Sequence, residues 1–393
     1  GAAVHILDPI SRKYRESTSH DLYDIARVCD TLEHIHFFQR SIVCRDLEDV
    51  REMDITTCYA SVAGTKKHVG TSFSFPENVD EALQMLHLIA GSEKAWRERP
   101  FVSMSVCHVV PPLKFAEDAS ACLEAGVKGG MPVLLLSAGQ AGATSPATLA
   151  RCVVQSVAEV IAGLVYVNAI QEGAPAIFGT WPFVSDLRTG AMSGGSGEQA
   201  VLMAACGQMA QFYNLPSGIA AGMTDSKIPD AQSGYEKGYT VALAGHSGAN
   251  LIYESAGMHA SLLGCCLESY VIDNDMLGAI NRTVRGIEVN AETLSLDPIR
   301  DVCLDGPGHY LGHEQTLNRM QSDYLYPIVG DRENINNWIE QGSTDSIQRA
   351  HLKLKEILKT HFPNNWDEDT DRKIREQFPV RLPRNLMQFP EIS

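Results

Sequence analysis

Four polar residues follow an apolar stretch near the middle of the chain. The stretch, residues 218–223, reads GIAAGM, and the sequence TDSK follows it at positions 224–227. Asp230, which comes after a proline, is a favourable N-cap for the helical segment beyond it. The polar residues therefore either cap this helix or line a binding site at the end of a buried strand.

Aromatic and acidic side chains recur at the ends of other predicted strands. In the sequence LIYESAG, Glu254 ends an apolar run, where an unpaired charge would be costly. A salt bridge and a ligand contact both explain that placement. The other candidates at or shortly after strand ends are Tyr59, Phe73, His108, Gln140, Trp181, Asp225, Gln232 and Tyr235. Because aromatic faces and carboxylates attract ammonium groups, this set of residues indicates a cationic ligand.

Motifs of several other chemistries do not occur in the sequence. There is no HExxH, no GxSxG and no pair of cysteines spaced for zinc. His309 and His313 have the spacing of two ligands on one helical turn, but the glycines around them disfavour a helix. The sequence therefore predicts no protein-bound metal.

The charge of the chain argues against two classes of partner. It contains 48 acidic and 32 basic residues, a formal net charge of −16, which repels nucleic-acid phosphates and anionic membrane surfaces. Apolar runs are interrupted before the roughly 20 residues that a membrane span needs, so no span is expected. Ten cysteines without a CxxC pair favour reduced thiols in a cytoplasmic protein.

Short apolar runs alternate with amphipathic segments, which predicts parallel strands covered by helices. Eight such units favour an α/β fold, a closed (β/α)8 TIM barrel, in which chemistry takes place at the C-terminal ends of the strands. The predicted strands are residues 36–43, 57–64, 101–108, 132–138, 175–181, 218–223, 250–255 and 269–274. The barrel is expected to span residues 36–276, after an N-terminal segment (1–35) that flanks it and before a helical C-terminal extension (277–393).

Six motifs are distributed in order along nearly the whole chain: GAAVHILDP, HIHFFQR, GMTDSKIPDAQSGYEK, SYVIDNDMLG, GIEVNAETL and GPGHYLGHEQTL. In these motifs the sequence resembles the trimethylamine methyltransferase family. The resemblance implies a (β/α)8 barrel that moves a methyl group from an amine to the cobalt of a corrinoid (cobalamin) carried by a cognate partner protein. It also implies a further N-terminal portion upstream of Gly1. Since barrels of this size often pair, a homo-oligomer is expected.

The resemblance also bears on the substrate. Trimethylamine enzymes of methanogens carry pyrrolysine in the barrel, whereas this chain contains standard residues throughout. The chain is therefore more similar to the branch without pyrrolysine, whose members demethylate glycine betaine and related quaternary amines. A quaternary ammonium releases a neutral amine and needs no general acid, so the work expected of the protein is positioning and desolvation.

Residue roles at the ends of the strands follow from this implied substrate. The aromatic cage expected around the ammonium group consists of Tyr59, Phe73, Trp181 and Tyr235. The residues expected at the carboxylate end of a betaine are His108, Gln140 and Gln232. Asp225 and Glu254 are the expected catalytic carboxylates, which balance the positive charge of the methyl donor.

Three alternatives remain compatible with the sequence. A metal-dependent aldolase or hydrolase uses the same barrel and would contain a bound metal. A non-catalytic betaine-binding protein would bind the ligand without transferring a methyl group. The residue types also leave folate open as the methyl acceptor in place of a corrinoid.

Overall fold

The structure, a computed structural model, describes residues 3–389. Residues 1–2 and 390–393, which belong to the predicted N-terminal segment and C-terminal extension, lie outside the described range. The strands are β1 (His5–Asp8), β2 (Lys13–Glu16), β3 (Phe37–Gln39), β4 (His68–Thr71), β5 (Val102–Val106), β6 (Val109–Val110), β7 (Lys114–Phe115), β8 (Val133–Ser137), β9 (Gln140–Ala141), β10 (Ala176–Thr180), β11 (Phe183–Val184), β12 (Gly218–Ala220), β13 (Leu251–Tyr253), β14 (Met258–His259) and β15 (Gly264–Cys265). The helices are α1 (Ser19–Thr31), α2 (Val50–Gly64), α3 (Pro76–Ala90), α4 (Glu93–Glu98), α5 (Glu117–Lys128), α6 (Leu149–Ile170), α7 (Gly197–Phe212), α8 (Ala231–His246), α9 (Leu267–Arg285), α10 (Asp297–Cys303), α11 (Glu314–Ser322), α12 (Ile335–Glu340), α13 (Ser346–Thr360) and α14 (Glu368–Gln377), and a 3-10 helix spans Arg384–Met387.

The centre of the fold is a curved parallel sheet whose spatial order follows the chain. Strands β3, β4, β5, β8 and β10 pair in that order. A parallel bridge from Phe178 to Ser217 leads on to β12, which pairs with β13. The ring of Phe37 on β3 lies 4.9 Å from that of Tyr253 on β13, so the first and last strands of this series face each other. The predicted α/β barrel is confirmed, and these seven strands are part of its wall.

The helices of the outer layer begin near the C-terminal ends of the strands, which we call the mouth. Several of them have side-chain caps there that are visible in the sequence. Ser196 accepts from the amide of Gln199 at the start of α7, and Asp230 accepts from the amide of Ser233 at the start of α8 (3.0 Å). Polar residues between strand and helix are therefore needed at the mouth for structural reasons alone.

The second predicted strand, residues 57–64, is wrong, because these residues lie in α2. Asp49 caps this helix by accepting from the amide of Glu52 (2.9 Å). From Asp54 to its C-terminal end the helix is buried on all sides, so its residues show no amphipathic pattern that would distinguish it from a buried strand. The second strand of the barrel is β4, which follows α2.

The eighth predicted strand, residues 269–274, is also wrong, because it forms the first half of α9. There Asp273 accepts a hydrogen bond from Lys237 Nζ of α8 (2.6 Å), and Asn274 accepts one from the amide of His34 (3.0 Å). These contacts bury polar side chains on the inward face of the helix. The apolar residues of α9 therefore do not recur with the helical period from which a helix is predicted. The antiparallel pair of β14 and β15 lies between β13 and α9.

In the described part of the chain, α6 is one helix that is long and apolar enough to span a membrane by length and composition. The polar residues that interrupt the apolar runs of the sequence therefore do not keep this helix below the length and hydropathy of a membrane span. The helix packs on β8, β10 and α7 as part of the barrel's outer layer, and about a third of its most apolar window is buried. Its length and apolar character are thus accounted for in part by the barrel.

Candidate functional site

A cavity of about 420 Å³ lies along the seam between the first and last strands of the series. Phe37 and Gln39 line it from β3, and Tyr253 and Glu254 line it from the end of β13. Its volume is within the range of small-molecule sites. We call it the seam cavity, and it reaches the mouth where Gln39 and Glu254 end their strands.

Two aromatic rings, those of Phe37 and Tyr253, line this cavity, and the ring of Trp181 packs beside them. Trp181 follows β10, and its ring centroid lies 5.5 Å from that of Tyr253, which in turn lies 4.9 Å from that of Phe37. The Trp181 indole Nε1 donates to the carbonyl of Gly218 (2.7 Å), which fixes the orientation of the ring. Burial raises the pKa of Tyr253, so this ring is a neutral phenol at pH 7. We call Phe37, Trp181 and Tyr253 the aromatic floor.

The packing of the floor depends on a glycine in β12. A Cβ atom on Gly218 would lie 2.9 Å from the Tyr253 ring and 2.6 Å from a methyl group of Leu134. Any larger residue would therefore push the tyrosine ring or the neighbouring leucine out of place. This close approach of strand and aromatic ring explains the glycine that begins the GIAAGM stretch.

Two opposite charges lie at the mouth beside the aromatic floor. Glu254 directly follows β13 and is only 8% exposed, and its φ of +62° is a left-handed conformation that costs free energy for a residue other than glycine. Arg40 directly follows β3; burial lowers its pKa, and the nearby carboxylates of Asp54 and Glu254 act in the opposite direction. An arginine stays protonated under such shifts, so the mouth holds both a cation and an anion.

The polar residues at 224–227 connect the loops around the mouth. The Asp225 carboxylate accepts from the Ser193 hydroxyl (2.6 Å), from the amides of Gly194 (2.8 Å) and Gly195 (3.4 Å), and from the Ser261 hydroxyl. These contacts hold three separate loops in one arrangement. Asp225 therefore has a structural role that its position in the sequence alone did not distinguish from a catalytic one.

Glu236 supports this arrangement from the first turns of α8. It is buried, and it accepts from the Thr224 hydroxyl (2.5 Å), the Asp225 amide (2.8 Å) and the Gln232 side chain (2.9 Å). The Gln232 amide group, predicted to contact a carboxylate, is thus engaged by the protein itself. The polar cluster both caps the helix, through Asp230, and braces the mouth.

Replacing Asp225 by alanine is expected to lower the free energy of unfolding by about 2–4 kcal/mol, because hydrogen bonds to a charged group contribute about 1.5–3 kcal/mol each and are not additive. Urea denaturation measures this. Asp186→Ala is the matched control, since the Asp186 carboxylate accepts within its own turn, from Arg188, and its removal should change the free energy of unfolding much less. An Asp225→Ala protein of unchanged stability would contradict the bracing role.

Three predicted site residues lie away from the seam cavity, and their contact with a ligand stays a prediction. Tyr59 lies on α2, fully buried, where its hydroxyl donates to Asp371 of α14. Tyr235 is 59% exposed on the outer face of α8, where it stacks on Tyr239 with ring centroids 6.4 Å apart. Neither ring lines the seam cavity.

His108 is the third predicted residue outside the seam cavity. It follows β5 but points outward between the strands and α6, with its Nε2 atom 2.9 Å from the carbonyl of Glu159. The ring is fully buried, and burial lowers its pKa, so it is neutral at pH 7. A neutral histidine behind the wall of the barrel does not line the seam cavity.

Phe73 and Gln140 lie at strand ends, as predicted. Phe73 follows β4 and packs partly buried against the core. Gln140 begins β9, and its side-chain oxygen accepts from the Ser185 hydroxyl (3.1 Å). Their contact with a ligand stays a prediction. The structure adds Phe37, Tyr253 and Arg40, of which Arg40 could have been found, since it comes one residue after Gln39 in the motif HIHFFQR.

A family model and similar proteins from other organisms indicate the same family for this chain. A family model described as trimethylamine methyltransferase (MTTB) matches residues 2–382. The chain is 33% identical over 375 residues to trimethylamine methyltransferase MttB of Desulfitobacterium hafniense, which covers 95% of this chain and 74% of that protein. It is 29% identical over 364 residues to a glycine betaine methyltransferase of the same species, covering 92% and 74% respectively.

Solved structures were also compared. The carboxyl transferase domain of Rhizobium etli pyruvate carboxylase with pyruvate aligns at 13% identity and a TM-score of 0.35, covering 100% of this chain and 70% of that one. The match of the family model over nearly all of the sequence carries the assignment. The chain belongs to the trimethylamine methyltransferase family.

Proposed function

We propose that this methyltransferase moves a methyl group from a methylated amine to the Co(I) of a corrinoid carried by a partner protein, and that its preferred donor is a quaternary amine such as glycine betaine. Membership of the family is the observation that carries the proposal. Relatives named for trimethylamine and for glycine betaine both align over more than 90% of the chain, so the choice of donor depends on the site.

Methyl transfer from a quaternary donor needs no general acid. The bond between the methyl carbon and nitrogen breaks with its electron pair remaining on nitrogen, and the carbon is transferred to cobalt as a methyl cation equivalent. The amine leaves neutral, so no proton is moved. Trimethylamine would instead leave as an amide anion unless it were first activated, and the standard residues of this chain provide no evident group for that activation.

The aromatic floor and Glu254 support binding of the ammonium end. Cation–π contacts contribute about 0.5–2 kcal/mol each, at the upper end when the site is desolvated. Phe37, Tyr253 and Glu254 line the same cavity, so these rings and the carboxylate can act on one bound cation. The ring of Trp181 packs against that of Tyr253. The methyl group to be transferred would face the open mouth, where the acceptor approaches.

Arg40 supports binding of the carboxylate end of a betaine. It lies at the mouth opposite the end of β13, and its guanidinium group presents a planar set of donors that fits a carboxylate. Glycine betaine carries one positive and one negative group a few ångströms apart. A site with Glu254 and Arg40 on facing strands complements such a zwitterion, whereas trimethylamine has no carboxylate for the arginine.

The test is an anaerobic assay with free cob(I)alamin and a panel of donors: glycine betaine, tetramethylammonium, dimethylglycine and trimethylamine. We expect the absorption spectrum of methylcobalamin to appear with glycine betaine, and dimethylglycine to form in equal amount. Turnover of trimethylamine in preference to betaine would contradict the proposed donor. Betaine binding by calorimetry without methyl transfer to cob(I)alamin or to a corrinoid protein would instead indicate a binding protein.

A further inference from the structure

Gln39 at the end of β3 reaches sideways across the inner face of the sheet. In the pairing of β3 with β4, Gln39 lies opposite Gly70. The Gln39 side chain passes over this glycine, and its Oε1 atom accepts a hydrogen bond from the hydroxyl of Ser105 on β5 (3.3 Å). Met104, the neighbour of Ser105, points outward to Gly126 of α5. Because side chains alternate along a strand, Ser105 faces the interior of the barrel, and so does the Gln39 amide group bound to it.

The passage of this side chain over β4 requires a glycine at position 70. A Cβ atom on Gly70 would overlap Gln39 Oε1 and would lie 2.8 Å from Cδ of the same amide group. The three atoms nearest to that Cβ position all belong to Gln39. Any larger residue would therefore have to displace the amide group. The glycine thus admits one particular side chain and holds it in place over the strand.

The orientation of the amide group leaves its nitrogen available to a ligand. Within residues 3–389, the bond from Ser105 to Oε1 is the one hydrogen bond that the Gln39 side chain makes. Gln39 lines the seam cavity together with Phe37 of the same strand and with Tyr253 and Glu254 of the facing strand. Since the hydroxyl engages the oxygen, the two N–H groups of the amide are left to donate within this cavity.

We propose that Gln39 determines specificity by donating a hydrogen bond from its amide nitrogen to the carboxylate of the methyl donor, and that Gly70 and Ser105 are positioning residues that act through it. This inference rests on the proposed function, since glycine betaine supplies the carboxylate. An amide is uncharged, so it binds a carboxylate without repelling the ammonium group of the same ligand. It therefore adds to the carboxylate contact of Arg40 without adding a second positive charge.

The test compares glycine betaine with tetramethylammonium in variants of Gln39, with calorimetry for binding and the cob(I)alamin assay for turnover. Gln39→Ala removes the donor, so we expect the Kd for betaine to rise about 10-fold and that for tetramethylammonium to change by less than about 3-fold. Gln39→Glu keeps the oxygen that Ser105 binds but replaces the nitrogen by a second carboxylate oxygen. It should weaken betaine binding more than Gln39→Ala does and bind tetramethylammonium at least as tightly as the parent chain.

Gly70→Ala tests the positioning role. Its methyl group should displace the Gln39 amide, so betaine binding should weaken about 5- to 10-fold in the parent chain but less than about 2-fold when Gly70→Ala is added to Gln39→Ala. Gly126→Ala is the matched control, because its methyl group would lie 2.6 Å from the end of the Met104 side chain, on the outer side of β5. The control should bind both donors as the parent chain does.

Two results would overturn the proposal while leaving the proposed reaction intact: a Gln39→Ala protein that demethylates betaine as the parent chain does, or one that loses betaine and tetramethylammonium binding to the same degree. A further loss of betaine binding when Gly70→Ala is added to Gln39→Ala would overturn the positioning role of the glycine. A parent chain that neither binds nor demethylates betaine would overturn the proposed donor and this inference with it. The two kinds of failure therefore give different results.

Discussion

Replacing Arg40 by glutamine is expected to lower kcat/KM for glycine betaine about 10- to 100-fold, because a hydrogen bond between charged groups contributes about 1.5–3 kcal/mol. Tetramethylammonium has no carboxylate, so its methyl transfer or binding by the same variant should change by less than about 3-fold. The comparison of two donors in one protein separates recognition from folding, since a loss of folded protein lowers both alike.

Two further measurements complete this experiment. Arg40→Lys keeps the charge but loses the planar pair of donors, so it should recover only part of the betaine activity. An Arg40→Gln protein that loses betaine and tetramethylammonium activity to the same degree would contradict the assigned role, and would indicate that Arg40 serves only to balance Asp54 and Glu254.

Replacing Trp181 by leucine is expected to weaken binding of both glycine betaine and tetramethylammonium about 10- to 30-fold, since a desolvated cation–π contact contributes up to about 2 kcal/mol. Calorimetry measures this well below the melting temperature, because the variant also loses the hydrogen bond to Gly218 and buried volume. Loss of Trp181 should weaken both donors, whereas loss of Arg40 should weaken glycine betaine and leave tetramethylammonium nearly unchanged.

Tyr235→Leu is the matched control for Trp181. Both residues are aromatic and both were predicted from the sequence to hold the ammonium group, but the structure places Tyr235 on the outer surface of α8. The control should bind both donors as the parent chain does. Weakened binding in the Tyr235 variant together with normal binding in the Trp181 variant would exclude the aromatic floor as the cation site.

The sequence predicted strands well where apolar runs were short and bounded by loops. The structure has β5, β8, β10, β12 and β13 within the predicted segments. The errors arose where burial hid the helical period. In α2 nearly every residue from Asp54 onward is buried, and in α9 the inward face contains Asp273 and Asn274, so neither helix shows the alternation of apolar and polar residues that prediction requires.

The candidate site was predictable by position along a strand but not by the direction of a side chain. Trp181 and Glu254 follow strands that were correctly identified, and both lie at the mouth. Tyr59 was assigned to the end of a strand that does not exist, and His108 follows a real strand but points outward. A shift of one residue reverses the face on which a strand side chain lies, and a single sequence does not determine that register.

The position of the bound cation tests the central claim most directly. In arsenobetaine an arsenic atom replaces the quaternary nitrogen, so anomalous diffraction from a crystal of the complex locates the cationic centre. We predict an arsenic peak within about 6 Å of the Trp181 and Tyr253 ring centroids, the range of a cation–π contact, with the carboxylate directed toward Arg40. An ordered arsenic peak beside Tyr59 or Tyr235, or anywhere outside the seam cavity and the mouth, would contradict it.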